Sequence, residues 1–307
     1  MDDRTERSIE LTKIVDAPVD VVFAAFTDAE HLSKWWGPEG FGVSSATSDA
    51  RPGGAFTIVM RGPDGTEYPV EGSYDEIDPP RRLVATSRAL GDDGAPILES
   101  TTDLDLVDAD GKTEIRLRAS ARALVPEANA NLAGMEAGWA QSLRCLDDYV
   151  TGASDRQIVT MQLVDAAPAD VFEVFTTPEH LARWWGPDGF TTTTESMDLR
   201  PGGEWRFTMH GPDGTDFPNV IVYDEVRPGE LLTYEHRGEA EFDDAVFRAS
   251  VFFDGFMGST VVTMKAVFAT AAERDANVER YGSIEGARQT LARLAGYVAE
   301  RSVAAGH

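Results

Sequence analysis

The residues of this chain that could act as bases, nucleophiles or metal ligands are few, and their placement narrows the chemistry quickly. The five histidines are His31, His180, His210, His236 and His307, and no two have metal-ligand spacing. Cys145 is the single cysteine, which leaves neither an intrachain disulfide nor a multi-cysteine metal site. No nucleophile elbow, zincin helix, phosphate loop or dinucleotide fingerprint is present. Two weak acid–base candidates remain. His236 shares a strand face with Leu232 and Tyr234, where a buried imidazole could serve as general base or hold a ligand by a hydrogen bond. Glu136 flanks the apolar stripe of a helical segment and could present a carboxylate to a pocket. Asp103 and Asp105 share a strand face and read as a solvated edge; His31 and His180 read as solvated or capping residues of short helices. No cofactor and no metal is expected.

A second set of residues could hold a molecule without reacting with it. Phe56, Ile58 and Met60 alternate with Thr57, Val59 and Arg61, and Trp205, Phe207 and Met209 alternate with Arg206, Thr208 and His210, so each run has one bulky apolar face. Tyr68, Val70, Gly72 and Tyr74 share the face of a following run, as do Phe217, Asn219, Ile221 and Tyr223. Buried tyrosine hydroxyls need a hydrogen-bonding partner, and polar tips converging inside an apolar cleft orient small ligands. The lining residues expected on this basis are Trp36, Phe41, Met60, Tyr68, Tyr74 and Trp139, and, further along, Trp185, Phe190, Met209, Phe217, Tyr223 and His236. A plain packed core satisfies the same pattern.

The elements that must position these residues follow from periodicity. Residues 8–15 and 157–164 alternate with period two and predict half-buried strands. Pro18 and Pro168 then start helices, with Asp20 and Asp170 in the first turn where the helix dipole favours negative charge. A second short helix ends at Gly37-Pro38 or Gly186-Pro187. One indole of each Trp-Trp pair should anchor that helix, leaving Trp36 and Trp185 for a cavity mouth. From Phe41 to about Ala121, turn clusters such as Arg51-Pro-Gly-Gly and Gly62-Pro-Asp-Gly separate short β-rich runs, predicting an antiparallel meander of about six strands. A long helix closes each half, over 126–150 and from 271 to about 303. Gly134 and Gly138 in the first, like Gly282 and Gly286 in the second, each cost ~1 kcal/mol relative to alanine inside a helix. They remove bulk on one face, either for close backbone approach or to leave room. Strand, two short helices, meander and long helix describe an α+β helix-grip domain, a curved sheet around its C-terminal helix.

The order occurs twice. Trp35-Trp36-Gly37-Pro38 returns as Trp184-Trp185-Gly186-Pro187, and Tyr74-Asp75-Glu76 as Tyr223-Asp224-Glu225, both at an offset of 149 (184 − 35, 223 − 74). That offset far exceeds the ~20–50 residues of solenoid repeats. Two copies of one domain are therefore fused, 1–152 and 153–307, with the short linker near Thr151-Gly152-Ala153-Ser154. Fusion predicts an intramolecular pseudo-dimer of the copies within a monomer.

Composition bounds the partners. Lys+Arg 27 against Asp+Glu 53 gives a net charge of −26, a field that repels nucleic acid and anionic membrane surfaces. Residues 1–7 contain no apolar signal core, no run approaches the ~18 apolar residues of a membrane span, and cysteine is scarce, so a cytoplasmic location is expected.

The repeated Trp-Trp-Gly-Pro, Arg-Pro-Gly-Gly, Gly-Pro-Asp-Gly and Tyr-Asp-Glu motifs, with Gly134-Met135-Glu136-Ala137-Gly138-Trp139 near the end of the first copy, resemble the homologues of the activator of the 90-kDa heat-shock chaperone ATPase. That family belongs to the START-like superfamily, with birch-pollen-allergen and polyketide-cyclase-like proteins. The resemblance covers nearly the whole chain, twice. It implies the helix-grip fold and a pocket for an apolar ligand. Three functions follow as expectations: a non-catalytic binder of a small hydrophobic or aromatic molecule, a chaperone-associated stress module, or a polyketide cyclase-like enzyme using His236 or Glu136. The eukaryotic activator also has an N-terminal domain that engages the chaperone, and nothing here resembles it. In the second copy Trp139 becomes Ala287 and Glu136 becomes Ile284, so the two pockets should differ in shape.

Overall fold

The computed structural model describes residues 5–238 and 247–305, without the side chains of 238 and 303–305. The chain divides into two units, Met1–Ser154 and Asp155–His307. In the first, β1 (Glu6–Val15) leads to α1 (Val19–Thr27) and α2 (Ala29–Trp35). The strands β2 (Gly42–Ser48), β3 (Ala55–Arg61), β4 (Glu67–Asp78), β5 (Arg82–Leu90), β6 (Pro96–Ala109) and β7 (Lys112–Ala123) follow. They form one antiparallel sheet in the order β1-β7-β6-β5-β4-β3-β2. The second unit repeats this with β8 (Gln157–Val164), α5 (Pro168–Thr176), α6 (Pro178–Trp184), β9 (Thr191–Met197), β10 (Glu204–His210), β11 (Asp216–Arg227), β12 (Leu231–Gly238), β13 (Phe247–Phe256) and β14 (Ser259–Val267). Its sheet order is β8-β14-β13-β12-β11-β10-β9.

The same local chemistry shapes both sheets. The register shifts at Tyr74/Glu76 between β4 and β5, and at Tyr223/Glu225 between β11 and β12. An extra residue of this kind bends the strand and deepens the twist, which curves the sheet around its helix. The preceding turn is tight: a Cβ on Gly54 would lie 1.9 Å from the carbonyl oxygen of Asp49, and one on Gly203 2.1 Å from that of Asp198. Both glycines are there because backbone passes where a side chain would stand.

Each concave face buries a continuous apolar core. In the first unit it joins Val22, Phe23 and Phe26 of α1, Leu104 and Leu106 of β6, Ile115 and Leu117 of β7, and Leu143 and Leu146 of the closing helix. Trp35 and Trp184, fully enclosed, donate their indole N–H groups to the carbonyls of Ala25 (2.9 Å) and Val174 (3.3 Å), anchoring each short helix to its predecessor.

The closing segment differs from the single long helix that the spacing predicts. In the first unit a 3-10 turn (Pro126–Ala128) and α3 (Asn129–Ala133) end at Gly134, and α4 (Met135–Val150) starts afresh. In the second, α7 (Ala271–Tyr281) stops at Gly282, which is left-handed at φ 60°, and α8 (Ser283–Ala305) follows. A glycine at this position terminates a helix without steric cost. Gly138 and Gly286 do lie inside helices. A Cβ on Gly138 would meet nothing within 4 Å and one on Gly286 only Pro187 at 3.7 Å, so close backbone approach explains neither.

Asp103 and Asp105 lie on the outer face of β6, an interior strand and not an edge. Arg82 binds both carboxylates and Glu76, and Arg118 bridges the two aspartates, all at 2.8–3.3 Å. Partial burial pushes the Asp105 carboxyl up, but the bonds from Arg82 and Arg118 outweigh it and hold the group below the ordinary aspartate range. A carboxyl depressed in the folded state stabilises above its unfolded pKa, and that contribution disappears as pH falls through the folded value. The first unit should therefore lose urea resistance below about pH 4, with Asp105→Asn flattening the decline. Equal slopes of urea midpoint against pH in the two proteins would contradict this.

Candidate functional site

The inner face of the first sheet is closed at one end and open at the other. At the closed end Leu83, Leu104, Leu106, Ile115 and Leu117 are buried against α1 and α4. At the other, cross-strand neighbours run Phe56–Gly72–Ser87–Ser100–Ala121 and Ile58–Val70–Ala89–Leu98–Ala123. Gly72, Ser87, Ser100, Val70, Ala89 and Leu98 face inward yet stay only half-buried. Ser87, Ser100 and Ala89 are small, so the sheet offers floor and little filling at these positions, while the Phe56 ring covers Gly72. Gly72 is required: a Cβ there would come within 2.4 Å of the Phe56 ring and 2.6 Å of the Thr86 carbonyl. The Ser87 and Ser100 hydroxyls bond to one another at 2.9 Å, which gives the floor a satisfied polar spot.

The walls come from residues that sequence spacing had singled out. Trp36 meets Trp139 edge to face, centroids 5.7 Å apart; both pack against the core, as does Met60, whose sulfur lies close to Gly37. Phe41 and Tyr68 form a separate pair, 5.6 Å apart, at the tip of the β3–β4 hairpin, with Tyr68 41 % exposed. Tyr74 is buried under Phe56, and its hydroxyl shares a 2.8 Å bond with Ser48. Burial pushes the Tyr74 phenol up, with the Ser48 bond opposing. Trp36 and Trp139 therefore stand together, Met60 lies beside Gly37 against the same core, Phe41 and Tyr68 form a separate pair at the hairpin tip, and Tyr74 is committed to the core. Glu136 lies at the α3–α4 corner, its side chain 59 % exposed, paired with Arg7 at 2.9 Å while Arg7 also binds the carbonyls of Leu132 and Ala133.

In the second unit the equivalent face is filled. The cross-strand row reads Trp205–Ile221–His236–Phe247, and Phe247 touches Phe268 at 5.3 Å. The His236 imidazole stacks flat on Phe247 (4.6 Å, 4°), and its Nε2 bonds Asn219 Oδ1 at 2.8 Å. Trp205 stacks on Phe207 at 3.9 Å, and Trp185, buried, packs edge-on against both. With alanine in place of the closing-helix indole, Trp185 turns to the sheet instead. Phe190 and Phe217 repeat the rim pair at 5.9 Å, and Met209 lies below Gly186. Tyr223 is buried beside Tyr234.

Two features escaped the sequence. His31 Nδ1 meets the Tyr149 hydroxyl at 2.6 Å, and His180 Nδ1 meets that of Tyr297 at 2.8 Å, tying each short helix to the closing one. The recurrence of both partners in the repeat is the signal that could have found this. Glu39, in the loop after Trp36, pairs with Arg144 of α4 through two 3.1 Å bonds. In the second unit Arg293 holds the corresponding loop differently, donating to the carbonyls of Gly186, Pro187 and Phe190. Among the described residues no group of three or more His, Cys, Asp or Glu side chains could hold a metal ion, and no helix is long and apolar enough to cross a membrane.

A curved antiparallel sheet wrapped around a C-terminal helix, twice in one chain, defines a tandem helix-grip protein. The chain belongs to the family of activator of Hsp90 ATPase homolog 1-like proteins, whose model matches residues 16–151 and again 165–299. Solved structures similar to single copies include a protein from Arthrobacter aurescens, 22 % identical over 48 % of this chain and 88 % of that one, at a TM-score of 0.45. Another is an AHSA1 protein from Silicibacter pomeroyi, 26 % identical over 47 % of this chain and 98 % of that one, at a TM-score of 0.40. No curated protein is detectably similar.

Proposed function

We propose that the first copy binds a small hydrophobic or aromatic molecule without transforming it, in the cleft between the inner face of β3–β7 and α4. The half-open inner face floored by Ser87, Ala89 and Ser100 carries this reading. Its walls, Trp36, Met60, Met135 and Trp139, offer aromatic and thioether surface to a ligand. The two acid–base candidates have other engagements: Glu136 with Arg7, and His236, in the other copy, with Asn219 and Phe247. That favours binding over a cyclase-like reaction. Native mass spectrometry of protein purified from its own host, followed by organic extraction, should find one apolar compound per chain. A chain that emerges empty, and whose tryptophan fluorescence no apolar compound perturbs, would refute the reading.

Family membership in both copies supports a second reading, a chaperone-associated module. Affinity capture from the same lysate tests it: co-purification of a 90-kDa chaperone in stoichiometric amount is its requirement.

A further inference from the structure

Three hydroxyls stand on the inner floor of the first copy. Ser87 and Ser100 are cross-strand partners on β5 and β6, and Thr102 lies two residues beyond Ser100 on the same face, between Ala85 and Ala119. All three are half-buried, whereas Leu104 and Leu106, further along that face, are closed off. The second copy carries none of the three. Its register places His236 at the position of Ser87, Phe247 at that of Ser100 and Ala249 at that of Thr102. Hydroxyls are thus present on the floor of the half-open face and missing from the filled one.

A hydroxyl on the concave side of a sheet is tolerated while water reaches it, and becomes a cost once that water is displaced without replacement. The Ser87–Ser100 bond, 2.9 Å long, uses one of the two serine hydrogens. The second serine hydrogen, and the hydroxyl of Thr102, can be donated to whatever fills the cleft. A hydrocarbon resting on this floor would strip the water and offer nothing back. A ligand with an acceptor oxygen on its edge restores the lost bonds. Charge narrows the class further. The inward positions of β3–β7 hold no Lys, Arg or His, and the chain's net charge is −26. A carboxylate would enter an unfavourable field with no cation on the floor to receive it.

We infer that the first-copy cleft selects a neutral aromatic molecule bearing an acceptor oxygen, a phenol or an aryl ketone, with that oxygen on the floor formed by Ser87, Ser100 and Thr102. This rests on the first copy being a binding module and adds the chemistry of the ligand's polar edge. Its aromatic body faces the indoles and thioethers of the walls, while the oxygen takes the place of the floor's water.

The probes are naphthalene, 2-naphthol and 2-naphthoate, which share one ring system and differ in a single group. In equilibrium dialysis against the full chain at neutral pH, 2-naphthol should bind at one equivalent and about tenfold more tightly than naphthalene, with 2-naphthoate weakest. A wholly apolar cleft gives the opposite order for the first two, because the naphthol hydroxyl costs more to remove from water. The triple variant Ser87→Ala, Ser100→Ala, Thr102→Val nearly keeps the shape of the floor and removes its hydroxyls, so naphthalene should then bind the tighter of the two. Thr102→Val alone should narrow the naphthol preference about threefold, and it keeps the test open should the triple variant fail to fold. Naphthalene bound by the parent protein as tightly as 2-naphthol, or more so, overturns the inference and leaves the binding reading standing. A naphthol preference that survives in both variants overturns it too, as does 2-naphthoate binding more tightly than 2-naphthol. Saturable binding of none of the three also overturns it, and extraction of the host-purified protein then decides the binding reading separately.

Discussion

Arg144→Met is expected to melt the first unit about 10 °C below the parent. Glu39 and Arg144 are joined through two parallel bonds, with side-chain exposures of 4 % and 9 %. Taking the guanidinium away leaves the Glu39 carboxylate enclosed without its cation, a situation that costs about 3–5 kcal/mol. At roughly 2–4 °C per kcal/mol for a domain of this size, the lower-melting transition in calorimetry should move clearly. Replacing both residues together, as Glu39→Gln with Arg144→Met, should recover most of the loss, because the penalty comes from the stranded charge and not from the absence of the pair. A shift below about 2 °C in the single variant would mean that water reaches Glu39. The pair also has a positional consequence. It fixes the loop that follows Trp36 to the helix that carries Trp139, and so sets the gap between the two indoles that wall the cleft.

The second large effect concerns that cleft directly. Ser100→Phe places in the first copy the ring that occupies the corresponding row of the second, where Phe247 lies under His236 and against Phe268. The new ring would stand on the open part of the floor, among residues that are half-buried, so the fold should accept it with a change in melting of only a few degrees. Affinity for the apolar compound extracted from the protein should fall at least ~100-fold, about 3 kcal/mol, because the ligand and the ring need the same volume. Unaltered affinity with an intact fold would show that the compound sits elsewhere.

Much of the architecture was legible because the two copies check each other. Trp-Trp-Gly-Pro, Arg-Pro-Gly-Gly and Gly-Pro-Asp-Gly recur at turns where backbone geometry dictates residue type, as the close carbonyls beside Gly54 and Gly203 demonstrate. Alternation in β3 and β10 assigned the inner face correctly, since period two leaves a strand only two faces. The helix breaks were not legible. A glycine within an apolar-periodic segment reads equally as a tolerated interior residue or as a terminator, and the left-handed φ of Gly282 decides between them only in three dimensions. Nor was the filling of the second cleft. That Ile221, His236 and Phe247 form one row depends on register across three strands, and Gly72, Ser87 and Ser100 looked unremarkable until they stood in line. Glu39 and Arg144 are 105 residues apart, joined by a loop and a helix whose approach no local pattern encodes. Asp103 and Asp105 were assigned to the correct kind of surface but the wrong strand position, because alternation reports the face and not the place in the sheet.

The unequal rows beneath the two closing helices bear on valency. A chain with two copies of one module would ordinarily count as bivalent, and tethering two identical sites can raise avidity 10²- to 10⁴-fold on a surface bearing many copies of one ligand. If the modules bind small molecules as proposed, small floor residues in one copy and stacked aromatic rings in the other would give them different preferences. Such a surface would engage this chain through one module at a time, with retention set by a single intrinsic affinity. On the proposed binding reading, duplication yields heterogeneity of recognition in place of multivalent grip.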